Sequence, residues 1–173
     1  YSSGTPVTPL IMDSPTLVGT DRGCGQRDGG RPTVWVQDAF IEIDDADISV
    51  GDFGISLRYS SGSVTNSSIG VNCNGIDIYS LKSVGTTDYY NTVASNEITT
   101  AEGTPVTIYG GAHADVYDNE LSGASGGSGI AVYSSYANIQ NNDIGPIGGW
   151  NGLWMLGSFD VIAENNTIHD VAK

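Results

Sequence analysis

One short frame recurs along this chain, and it limits the fold more than any other feature. Apolar-x-x-Asn-x-apolar fits VASNEI from Val93, VYDNEL from Val116, IQNNDI from Ile139 and AENNTI from Ala163. IDDADI from Ile43 and VTNSSI from Val64 fit it more loosely. The last apolar residues are Ile48, Ile69, Ile98, Leu121, Ile144 and Ile168, spaced by 21, 29, 23, 23 and 24. A second column of short alternating runs starts at Val34, Ile55, Ile76, Val106, Ile130 and Leu153, spaced by 21, 21, 30, 24 and 23. Gly54, Gly75, Pro105, Gly129 and Gly152 stand just before five of these runs. Two columns keep one register over six units, and the third unit carries the insertion SVGTTDYYN.

A unit of 21 to 30 residues cannot bury its own apolar face. Stacked on copies of itself at about 4.8 Å per rung, it can. The repeat therefore predicts a parallel β-solenoid of about six rungs. No segment carries apolar residues at helical spacing for three turns, which predicts an almost all-β chain and sets a leucine-rich-repeat solenoid aside. No run of 18 apolar residues exists, so no membrane-spanning helix is expected.

Ala163 and Ile168 are five residues apart, and strict strand alternation cannot point both inward. A corner must lie between them. Asparagine tolerates the left-handed backbone of a tight corner, and its amide can bond to the same amide one rung away. Asn96, Asn119, Asn142 and Asn166 are accordingly expected to form a structural ladder rather than a catalytic set.

The pattern Gly-Ile-x-Val…Ile-x-Asn-Asn-x-Ile resembles the repeat of right-handed parallel β-helix proteins, the pectate-lyase-like and NosD-like carbohydrate-binding group. The resemblance covers about residues 33 to 173 and implies a single-stranded right-handed parallel β-helix. An asparagine ladder at a corner is also what it implies. Residues 1 to 32, with Pro6, Pro9, Pro15 and Pro32, break the repeat and are expected to form an N-terminal arm or cap, in part an irregular first rung. Members of such families include lyases, hydrolases, epimerases, adhesins and surface proteins, so the fold leaves the function open.

Charge removes one class of partner. The net charge is −14, with only six Lys plus Arg, and a nucleic-acid backbone would be repelled. Calcium, basic partners and a saline surroundings stay compatible. Cys24 and Cys73 either pair, as an extracellular or cell-surface protein would allow, or stay as free thiols. The sequons at Asn66 and Asn165 are glycosylation candidates in a secreted protein.

Two outward stripes carry the functional expectations. On the first strand of each unit, Trp35, Tyr79, Tyr109, Tyr133 and Trp154 offer rings for a glycan or a protein partner. Beside the corner, Glu97, Glu120 and Asp143 are adjacent like charges that calcium could bridge. DRGCGQRDGG, with Asp21 and Asp28, is a looser calcium candidate. A uronate-active enzyme needs cations beside paired acids, and only Arg58 and Lys82 fall near Asp77 and Tyr79. The chain stops directly after a regular unit, at IHDVAK, so further chain or another copy is expected against that end. The leading expectation is an extracellular structural or adhesive module that assembles end to end with copies of itself and binds glycan. The alternative is a polysaccharide lyase, epimerase or hydrolase using Arg58, Asp77, Tyr79 and Tyr109.

Overall fold

The structure is a computed structural model and describes residues 9–20, 24, 32–80, 89–123 and 125–172. All regular elements among these residues are strands. They run β1 (Leu10–Asp13), β2 (Thr16–Val18), β3 (Pro32–Gln37), β4 (Phe40–Asp44), β5 (Asp47–Ser49), β6 (Phe53–Arg58), β7 (Ser61–Thr65), β8 (Ser68–Val71), β9 (Ile76–Tyr79) and β10 (Tyr90–Ala94). They continue as β11 (Glu97–Thr100), β12 (Val106–Tyr109), β13 (His113–Tyr117), β14 (Glu120–Gly123), β15 (Ser128–Tyr133), β16 (Tyr136–Gln140), β17 (Asp143–Ile147), β18 (Asn151–Leu156), β19 (Val161–Glu164) and β20 (Thr167–Ile168).

Every third strand pairs in parallel, which is the signature of a solenoid. The first sheet is β3-β6-β9-β12-β15-β18, the second β1-β4-β7-β10-β13-β16-β19, and the third β2-β5-β8-β11-β14-β17-β20. The sequence columns are the pairing registers. Val34, Ile55, Ile76, Val106, Ile130 and Leu153 are successive partners in the first sheet. Ile48, Ile69, Ile98, Leu121, Ile144 and Ile168 are successive partners in the third. The second sheet aligns Ile43, Val64, Val93, Val116, Ile139 and Ala163. These aliphatic columns fill the core, where Ile41, Ile43, Ile48, Leu57 and Ile108 lose all contact with water.

Each rung thus has three strands, one more than the two alternating runs the repeat displays. Part of the expected N-terminal arm also continues the solenoid. Met12 of β1 pairs with Ile43, and Leu17 of β2 pairs with Ile48, so residues 10–18 add two strands ahead of the six complete rungs.

The glycines before the first sheet have a packing cause. A Cβ on Gly129 would collide with Ile144 Cγ2, and one on Gly152 with Ile168 Cγ2. A bare backbone at these rungs lets the chain pass close to the third-sheet aliphatics, while Pro105 takes the equivalent place in the fourth rung.

The corner between the second and third sheets is two residues long, and its geometry corrects one detail of the asparagine expectation. The left-handed residue is the one before the ladder position: Ser95, Asp118, Asn141 and Asn165 have φ of 57°, 57°, 56° and 56°. The ladder asparagines follow and point inward. Asn96 Nδ2 donates to Asn119 Oδ1 (3.0 Å), Asn119 Nδ2 to Asn142 Oδ1 (2.9 Å), and Asn142 Nδ2 to Asn166 Oδ1 (2.9 Å). The same oxygens accept the backbone N–H of the rung before, as Asn119 Oδ1 does from Asn96 N (3.0 Å). Each amide also donates to a backbone carbonyl of an adjacent rung, Asn119 Nδ2 to Val93 O at 2.9 Å. At the corner between the first and second sheets, serine takes the corresponding place. Ser135 Oγ accepts from Gly111 N (3.1 Å) and donates to Tyr133 O (2.9 Å).

Cys24 and Cys73 form a disulfide, with Cα atoms 5.4 Å apart. It ties the N-terminal segment to the third rung's entry, which settles the alternatives the sequence left open.

Because Asn119 is 2% exposed and holds three rungs together, Asn119→Ala removes the acceptor of both the Asn96 N–H and the Asn96 amide inside the core. Such orphaned groups cost about 1 to 3 kcal/mol each. Chemical denaturation of Asn119→Ala should therefore show a loss of about 3 kcal/mol. The exposed Thr99→Ala should stay within about 0.5 kcal/mol of the parent.

Candidate functional site

In-register parallel stacking turns equivalent residues into columns about 4.8 Å apart. On the outer face of the first sheet, Gln37, Arg58, Tyr79, Tyr109, Tyr133 and Leu156 form one such column. Arg58 is its centre. Its guanidinium lies 4.5 Å from the Trp35 ring centroid and 5.6 Å from that of Tyr79. The Tyr79 ring continues the strip, 5.4 Å from Tyr59 edge-on and 4.7 Å from Tyr109. Rings and cation therefore bind one another across four rungs, a cation–π arrangement that also fixes the guanidinium's position.

Asp77 sits in the neighbouring column, opposite Ser56 and Thr107. Burial pushes its carboxyl up to about 6, against the Asn74 amide that donates to it at 3.0 Å and the opposing charge of Arg58. Burial likewise raises the Tyr109 hydroxyl, helped by the Asp77 charge. The hydrogen bond with Tyr59 raises Tyr79. Arg58, Asp77, Tyr79 and Tyr109 are therefore brought together. Tyr133 and Trp154 are half-buried further along the same face, and the Trp154 ring packs 6.3 Å from Trp150.

This face is drier than its alternation implies. Ser56, Thr107 and Ala131 point outward by parity, yet they are 4%, 8% and 1% exposed. The accessible part is the arginine–tyrosine column and Trp35.

The acidic stripe is present as a column: Glu97 pairs with Glu120, and Glu120 with Asp143. At its end, His169 Nε2 lies 3.1 Å from Asp143 Oδ1, and His169 Nδ1 lies 3.0 Å from Asp170 Oδ2. The bond to Asp170, with the nearby Asp143 carboxylate, raises the imidazole's pKa. Among the described residues no cluster of three or more His, Cys, Asp or Glu is close enough to hold a metal ion. Asp21, Asp28 and Lys82 lie outside the described residues.

A further aromatic column occupies the second sheet and was not among the expected sites. Tyr90 pairs with His113, and His113 with Tyr136. Their rings stack along the solenoid: 4.9 Å from Tyr90 to His113, 4.2 Å and 7° from His113 to Tyr136, and 5.1 Å from Tyr136 to Phe159. A groove of about 370 Å³ runs beside them. The signal was available, since Tyr90, His113 and Tyr136 each stand three residues before an aligned core residue, Val93, Val116 or Ile139.

A family model described as a right handed beta helix region matches residues 53–173. The chain belongs to the right-handed β-helix family. No curated protein and no solved structure matches it significantly. Membership accounts for the rungs and the asparagine ladder, while the chemistry of a β-helix rests on the side chains its own faces display.

Both sequons of this β-helix fall at exposed left-handed corner positions, Asn66 (φ 51°) and Asn165 (φ 56°). Asn66 Nδ2 already donates to Asp44 Oδ1 at 2.8 Å, a bond that helps hold the Asp44 carboxyl below its ordinary value.

Asp77 gives the β-helix a pH signature. Its folded pKa, about 6, lies above its ordinary value of 3.8, so the folded state holds the proton more tightly. Stability contributed by this group is therefore full at acid pH and falls as pH rises from about 4 to about 6. Asp77→Asn should gain about 1 to 3 kcal/mol over the parent at pH 8 and nothing below pH 4, measured by denaturant unfolding across that range.

Proposed function

We propose that this β-helix is an extracellular module that binds polysaccharide along its first sheet. One observation carries the reading: Arg58 held between Trp35 and Tyr79, with Tyr109 next in line, gives a half-buried strip of rings around a fixed cation, open to solvent chiefly at Trp35. Aromatic rings offer an apolar face to a pyranose ring, and a guanidinium offers forked donors to hydroxyls or a carboxylate. The Cys24–Cys73 disulfide supports an oxidising compartment. Titration calorimetry against neutral and uronate-containing polysaccharides should find a ligand whose binding falls at least about tenfold in Tyr79→Ala and in Arg58→Gln, about 1.4 kcal/mol each. Equal binding by the parent and both variants, or no ligand among either class, contradicts it.

Asp77 favours a second reading, in which the same strip is the substrate platform of a polysaccharide-active enzyme. A carboxyl raised to about 6 beside Arg58 and Tyr109 is suited to proton transfer near neutral pH. In that case the bound polysaccharide is cleaved or epimerised, and Asp77→Asn abolishes turnover while leaving binding intact. Binding without turnover leaves the first reading standing alone.

A further inference from the structure

We infer that the groove on the second sheet is a saccharide site of its own, built for an uncharged sugar. It lies beside the Tyr90–His113–Tyr136 stack and is independent of Arg58 and Asp77. Stacked rings cover one another's faces, so this column turns its ring edges and polar tips toward the groove. The next outward column in the same register is Asp115, Asn138 and Ile162. The space between them has a volume of about 370 Å³, within the range of pockets that hold small ligands.

Three polar atoms of residues lining this groove have no partner. Asn91 Oδ1, His113 Nε2 and Asn138 Oδ1 are shut away from water and make no hydrogen bond. Asn91 belongs to the inward column with Ala114, whereas His113 and Asn138 stand on the outer face of adjacent strands, β13 and β16. Buried polar atoms are nearly always paired, and an orphan is costly to keep. A leucine at 138 or a phenylalanine at 113 would remove that cost and leave the stack in place. Two such atoms on the outer face of one groove are what a site looks like when its ligand completes the bonding.

The lining defines the ligand's chemistry. Asn138 Oδ1 can only accept a hydrogen bond, and the carboxylates of Asp115 and Asp160 also accept. No Lys or Arg lines the groove, and the chain carries a net charge of −14. An anionic ligand is disfavoured on both counts. A donor-rich uncharged molecule is favoured, with apolar C–H surface to lie on Ile162 and on the backbone beside Ala114 and Ala137. A neutral oligosaccharide has those properties; once the Asn138 and His113 side chains, covered in the free protein, turn toward the groove, its hydroxyls can donate to Asn138 Oδ1 while His113 Nε2 takes either role. Tyr90 stands at one end with 61% of its surface in water, so its ring can swing to admit a ligand at little packing cost.

The two saccharide faces would then differ in kind. The first sheet carries a cation among rings, and the second carries acceptors only. Titrating the isotope-labelled protein with maltohexaose, cellohexaose, N-acetylated chitohexaose and polygalacturonate separates them. At millimolar sugar, the backbone amide signals of residues 113–115 and 136–138 should move saturably with at least one of the three neutral oligosaccharides and not with polygalacturonate. His113→Phe and Asn138→Leu should each weaken that binding at least tenfold while melting no lower than the parent, whereas Arg58→Gln should leave it unchanged. The inference is overturned if none of the neutral sugars moves those signals, if both variants titrate like the parent, or if polygalacturonate occupies the groove. Loss of binding at this groove with Arg58→Gln would place the ligand on the first sheet instead and would also overturn it.

Discussion

Everything in this molecule depends on hydrogen bonds between rungs. No rung has a partner strand within itself, since each of its three strands belongs to a different sheet. The strand backbone groups of a rung are satisfied by the rungs on either side, and the inward amides of Asn96, Asn119 and Asn142 bond chiefly to those rungs, with Asn119 and Asn142 each adding one bond inside its own corner. The asparagines matter out of proportion to their number because they sit where the backbone alone would fail. A two-residue corner leaves N–H and C=O groups pointing into an apolar interior, and one amide side chain both donates and accepts there. In-register stacking follows, since a shift of one residue would place an amide among isoleucines and an isoleucine at a corner.

That register turns a list of residues into surfaces. Side chains at one repeat position become a column, and like meets like at about 4.8 Å. Where the residues are isoleucine or valine, the column is core. Where they are tyrosine, histidine or arginine, it becomes a strip whose members hold one another, as Trp35, Arg58 and Tyr79 do on one face and Tyr90, His113 and Tyr136 on another. Where they are Glu97, Glu120 and Asp143, it is a line of like charges with His169 at its end. The fold thus offers long, regular, rigid faces, which is a geometry suited to repeating polymers.

The architecture was legible because it rests on period. Two aligned columns fixed the rungs, and the same registers appear in the sheets residue for residue. What alternation could not give was the content of the outside. Parity says that Ser56, Thr107 and Ala131 leave the core; it does not say whether other parts of the chain cover them, and they are buried. The partial rung at Met12 and Leu17 was obscured because 31 residues separate each from its partner, Ile43 or Ile48, farther than between any other rungs. The left-handed residue was placed one position late, since asparagine suits both the corner and the ladder and only the backbone separates the two roles. The second-sheet stack went unread because its members differ chemically. Tyr, His and Tyr do not look like a repeat until they are placed three residues before the core column.

Native-state hydrogen exchange tests the dependence on neighbours most directly. If each rung is held by the rungs beside it, the slowest amides lie in β10, β13 and β16 and at Asn96 and Asn119, with protection falling toward β1–β2 and toward β18–β20. Uniform protection along the solenoid, or Asn96 and Asn119 amides exchanging as fast as those of the outermost strands, would contradict it.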